Sequence, residues 1–170
     1  MTSPPVIRLE SPLAEGVGLA VEFTWHEDRF EHDLYLFDDE SRRALLTTPR
    51  DRSEYAVALV ELHPQLDTAP QPTLFLHGAG GGAQWSMSVE RGEPGELHFD
   101  VAARVLHPPL ERALRYRREP NAHGYVIVTG PDTEVGTPDD GLDLVMESRT
   151  GGAACPTTLR WRYSVKRVLD

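Results

Sequence analysis

One cysteine, one lysine, one asparagine and two isoleucines are all this chain holds of those residues, and each shortage removes a possibility. A lone Cys155 excludes an intramolecular disulfide and a cysteine-based zinc site. A lone Lys166 leaves Schiff-base and P-loop chemistry a single residue to draw on. No apolar run approaches the roughly 18 residues of a membrane-spanning helix. Met1 to Glu10 contains two prolines and neither a basic start nor an apolar stretch. No signal peptide is read there, and a cytoplasmic setting is expected. The 16 arginines against one lysine read as the bias of a GC-rich bacterial genome rather than as chemistry.

What is present points to an ordered, acidic β domain. Leu, Ile, Val and Phe make up about a quarter of the 170 residues, above the level at which a charged chain stays disordered. The length suits one domain, 1–170, able to bury a core without staples. Residues 1–5 and 131–141 are expected to be flexible.

Period-two alternation dominates. Val17, Leu19, Val21, Phe23 and Trp25 are apolar at every second position, and Phe30, His32, Leu34 and Leu36 follow after a polar break. A hairpin turning at Glu27-Asp28 would pair Trp25 with Phe30, Phe23 with His32 and Val21 with Leu34, so that the two faces coincide. A second hairpin joins Ala83–Val89 to Leu97–Val105 through Arg91-Gly-Glu-Pro-Gly95. Further strands are read at 6–9, 43–48, 73–77, 114–117, 124–129, 142–147 and 158–168, with turns at 63–72 and 131–141. Residues 53–63 and 108–118 fit helix or strand. About ten short strands with regular turns predict an antiparallel β-sandwich, with a closed or partly open barrel as the alternative.

Four patterns invite chemistry. Phe75-Leu-His-Gly-Ala-Gly-Gly-Gly82 resembles the oxyanion-hole loop of α/β-hydrolases, which implies His77-Gly78 at an acyl-transfer site. The resemblance covers this segment alone. None of the eight serines sits in a G-x-S-x-G elbow, so a glycine-rich turn with positive φ is the preferred reading. His98 and Asp100 share one face, and the inferred register puts Ser88 beside His98, an arrangement like a triad on a flat exterior without a pocket. The ligand types between His26 and Asp33 diverge under the alternation. They leave His32 on the core face, either as a hydrogen-bonded core histidine or as a pocket-lining acid or base. Asp132, Glu134, Asp139, Asp140 and Asp143 place five carboxylates in one loop, which reads as solvated, with Ca²⁺ as the alternative.

Charge is uneven. Residues 1–40 hold ten acids against two arginines, while Arg112, Arg115 and Arg117 and, on the last strand, Arg160 and Arg162 concentrate positive charge. Brought together, these would form a patch for an acidic protein partner or for the acidic half of another copy. Nucleic acid is not expected at a pI near 5.1. No cofactor and no membrane partner are expected. The expectation is a non-enzymatic binding or interaction module. The alternatives are a small β-barrel enzyme using His32 and hydrolase-like use of the His77-Gly78 loop.

Overall fold

Alternation carried along nearly the whole chain produces strands with one apolar face, and two such sheets bury those faces against each other. The computed structural model describes residues 5–14, 16–49, 57–65, 71–107, 113–136, 143–152 and 154–168. Within them the strands are β1 Val6–Ala14, β2 Val17–His26, β3 Arg29–Phe37, β4 Arg42–Thr47, β5 Glu61–Gln65, β6 Thr73–Gly80, β7 Ala83–Arg91, β8 Glu96–Val105, β9 Ala113–Arg118, β10 Tyr125–Thr129, β11 Thr133–Gly136, β12 Asp143–Ser148 and β13 Thr157–Arg167. One sheet runs β1-β2-β3-β4-β9-β12-β11 and the other β10-β13-β8-β7-β6-β5. Every pairing is antiparallel, and the sheets pack as a sandwich without closing into a barrel. No helix long and apolar enough to cross a membrane occurs among the described residues.

The β2–β3 hairpin has the expected register, with Trp25 opposite Phe30, Phe23 opposite His32 and Val21 opposite Leu34. Glu27 adopts φ 58° in its two-residue loop. The β7–β8 hairpin corrects the sequence reading: Ser88 faces Asp100, and His98 faces Glu90. Arg91 remains in the strand, and the loop is closed by Gly92 N–H donating to the Glu96 carbonyl at 3.0 Å, with Gly95 at φ 74°. Gly81 and Gly82, φ 61° and 77°, form the tight β6–β7 turn, whereas Gly78 and Gly80 belong to β6 itself. A two-residue turn with both φ positive matches the twist of a hairpin and suits only residues without a Cβ penalty.

Segments left open between helix and strand hold no helix among the described residues. Residues 113–118 form β9, while 108–112 lie outside the described residues. Residues 57–60 have no regular secondary structure and lead into β5; 53–56 lie outside the described residues. Two stretches expected as turns contain strands, β5 reaching into 63–65 and β11 occupying 133–136. Of the stretch 131–141, residues 133–136 pair with β12, while 137–141 lie outside the described residues, as do 1–4.

Leu19, Val21, Phe23 and Leu34 from one sheet meet Val89, Leu97, Phe99 and Trp161 from the other, all at most 2% exposed. Trp85 stacks on Trp161 with centroids 5.9 Å apart, and Phe99 lies 4.8 Å over Tyr163.

Hydroxyls sew one corner of the sandwich. Beyond the end of β10, the outward N–H of Arg162 donates to Thr133 Oγ1 at 2.8 Å, and that of Arg160 to Ser148 Oγ and Thr150 Oγ1 at 3.1 and 2.7 Å. β11, β12 and Thr150 just beyond it thereby supply to β13 the acceptors a neighbouring strand would have given. Thr133 is 3% exposed, so Thr133→Val keeps the shape and strands a buried donor. A loss of about 1–3 kcal/mol is expected by urea denaturation. A change under about 0.5 kcal/mol would show that water replaces the hydroxyl.

Candidate functional site

His32 is the polar group at the centre of the sandwich. Its Nε2 lies 2.6 Å from Tyr116 Oη, which lies 2.5 Å from Tyr163 Oη. Tyr163 donating to Tyr116, and Tyr116 donating to His32, gives both hydroxyl protons an acceptor and fixes the imidazole as the neutral Nδ1–H form. Phe23 stacks on the imidazole at 5.1 Å, Phe99 lies at 6.3 Å and Tyr116 meets it edge-on at 5.4 Å. Burial lowers the His32 pKa to about 4 and raises both tyrosines above their ordinary range. The ring is 6% exposed and enclosed by aromatics. This arrangement holds two sheets together; it leaves no face of the imidazole for a substrate.

The arginines do not converge. Arg115 and Arg117 project from the outer face of the seven-stranded sheet, where Arg117 stands opposite Asp143. Arg160 and Arg162 project from the outer face of the other sheet, across the sandwich. Each is held by a carboxylate: Arg160 Nε by Asp100 at 2.9 Å and Arg162 Nε by Asp132 at 2.7 Å. Arg112 lies outside the described residues. The single positive patch conceived from the sequence is therefore not formed by the described arginines. The acidic loop is likewise divided: Asp132 pairs with Arg162, Glu134 with Arg149, and Asp143 faces Arg117, while Asp139 and Asp140 lie outside the described residues.

The triad-like row resolves into cross-strand neighbours. Ser88, Asp100 and Arg162 form one row, and Glu90, His98, Ser164 and Val128 the next. His98 is about half exposed, with Nε2 3.5 Å from Glu96, so it is directed away from Ser88. These two rows line an open groove of about 310 Å³ whose far wall is Val128, Thr129 and Gly130.

That wall is the edge of the sheet. β10 pairs with β13 on one side, and no strand lies beyond it among the described residues. Gly130 N–H donates to the Arg162 carbonyl at 2.7 Å and Val168 N–H to that of Gly124 at 2.9 Å. Antiparallel pairs alternate, so the backbone groups of Tyr125, Ile127 and Thr129 turn to the open side. Val126 and Val128 are exposed beside them, and the strand carries no charge and no proline.

His77 stands opposite Ser86 on one side and Glu61 on the other. Its Nε2 points to Glu61 at 3.2 Å, and the imidazole is half exposed. Gly78 serves packing: a Cβ there would meet the Ala58 carbonyl oxygen at 2.1 Å. Segment 57–60 can therefore lie against β6, with Val60 N–H donating to the His77 carbonyl at 2.9 Å. The glycine-rich segment is explained by a close backbone approach and a hairpin turn.

No family model, curated protein or solved structure matches this chain. The residues alone carry the functional reading.

Sequence reasoning missed the open β10 edge and the residues around His77. The uncharged run Tyr125–Thr129 was visible, but which strand ends a sheet depends on long-range order. Glu61 and His63 alternate on one face, a signal obscured by Pro64, which an edge strand tolerates.

Proposed function

We propose that this chain is a non-enzymatic recognition domain that binds an extended segment of a protein partner along β10. The observation carrying this reading is the open, uncharged edge of Tyr125–Thr129 bordering the groove. An added strand would satisfy the outward backbone groups of Tyr125, Ile127 and Thr129, and its alternate side chains would reach past Val128 into the groove. Glu90 on the groove floor favours a basic or polar residue in the incoming strand, Asp100 being already paired with Arg160. The commitment of His32 to the core supports a binding role over an interior active site.

The test is selection of linear peptides from a random library on the folded domain, followed by amide chemical-shift mapping. Selected peptides are expected to perturb Tyr125–Thr129, His98 and Ser164. Thr129→Pro removes a donor from the open edge without breaking a bond to β13, and is expected to weaken binding about tenfold or more. Peptides that map to another face, or bind Thr129→Pro equally well, would overturn the reading.

A further inference from the structure

At the opposite edge of the same sheet, we propose a binding site for one divalent transition-metal ion of the zinc type, held by Glu61, His63 and His77. These three are the one described group of such side chains whose donor atoms converge, all lying within 4.8 Å of one another. Glu61 and His63 are two residues apart on β5, so they share a face, and register puts Glu61 directly opposite His77 on β6. Glu61 Oε2 is 3.2 Å from His77 Nε2 and 3.5 Å from His63 Nε2. Bonds of about 2.0–2.1 Å in a tetrahedron place ligand atoms about 3.3 Å apart. Two of the three edges thus already have the right length. The imidazoles lie nearly parallel, 11° apart with centroids at 5.3 Å, and both are more than half exposed. The third edge is at most 4.8 Å, and both imidazoles are free enough of burial for a side-chain rotation to shorten it.

The donor set selects the ion. Two neutral imidazoles and one carboxylate suit Zn²⁺, Ni²⁺ or Cu²⁺, and too few oxygens are present for Ca²⁺. Three protein ligands leave the remaining position to water, facing solvent. Placement of the ligands depends on Gly78, whose missing Cβ admits the chain leading into Glu61. β5 is a five-residue edge strand containing Pro64 and paired only with β6 among the described residues. An ion joining Glu61 and His63 to His77 would clip that strand to the sheet.

Zinc chloride titrated calorimetrically into the whole chain in chelator-free buffer tests the site. One equivalent is expected to bind. His63→Ala and His77→Ala are each expected to weaken it about tenfold or more, with unchanged circular dichroism because both side chains are exposed. Zinc should raise the thermal midpoint of the parent chain but not of the doubly substituted chain. Gly78→Ala should weaken binding with all three ligands present. Binding that survives both histidine substitutions, or no binding by the folded parent, would overturn the proposal.

Discussion

Replacing Phe99 by alanine is expected to destabilise the chain by about 3–5 kcal/mol, the range for deleting a buried aromatic ring. Phe99 is 2% exposed at the middle of β8. Its ring lies 4.8 Å over Tyr163 with the planes 2° apart, and 6.3 Å from the His32 imidazole. Truncation therefore removes apolar contacts and also opens a void beside a polar network that depends on exclusion of water. β8 is held by full ladders to β7 on one side and β13 on the other, so the cavity cannot collapse cheaply. Domains of this kind have only about 5–15 kcal/mol in total. Urea denaturation of Phe99→Ala beside Ser86→Ala, on the outer face of β7, provides the measurement. The second variant should change by less than about 0.5 kcal/mol, as surface substitutions do. Similar small losses in both would mean that the inner face had been misassigned.

Acid is expected to weaken the fold through His32. Its pKa is about 4 when folded, against 6.5 for the free side chain, because burial disfavours the imidazolium. Above pH 6.5 neither state binds the proton and the group has no effect. Between pH 6.5 and 4 the unfolded chain takes up the proton and the folded chain does not. Stability therefore falls with pH across this window, by about 3 kcal/mol in all, and levels off below it. Other groups titrate over the same range, so the test is the difference between the parent and His32→Phe. The parent should lose about 3 kcal/mol more than the variant between pH 7 and 4. His32→Phe also leaves the Tyr116 hydroxyl without its acceptor, which lowers stability at every pH and does not alter the slope. Parallel curves would show that His32 is not buried in its neutral form.

Much of this architecture could be read from alternation, because a side-chain period of two assigns each residue to a face. The β2–β3 hairpin was legible down to its register, since Glu27-Asp28 allows only one short turn and the apolar sets then coincide. The β7–β8 register was not. A slip of two residues keeps every side chain on its own face, so burial alone cannot distinguish Ser88 opposite His98 from Ser88 opposite Asp100. The loop decides, through a hydrogen bond between Gly92 and Glu96 that no periodicity encodes. His32 was recognised as a polar group needing a partner, yet that partner, Tyr116, comes from β9, and Tyr163, which bonds Tyr116, comes from β13 across the sandwich; both are distant in sequence. The groove, the open edge and the meeting of Glu61, His63 and His77 share this origin. Each depends on which strands become neighbours, a long-range property.

An open edge accepts any strand of suitable length, including one from another copy of the same chain. Tyr125–Thr129 lacks the lysine, proline or bulge with which natural sheets usually blunt such edges. Protection can instead come from the charge of the whole molecule, −10 at neutral pH, which makes two copies repel before their edges meet. That repulsion acts over about 10 Å at 0.1 M salt and only about 3 Å at 1 M. Ionic strength is thus expected to act as a colloidal control on this chain, dilute buffers keeping copies apart and concentrated salt or a pH near 5.1 lowering the barrier to edge-to-edge pairing.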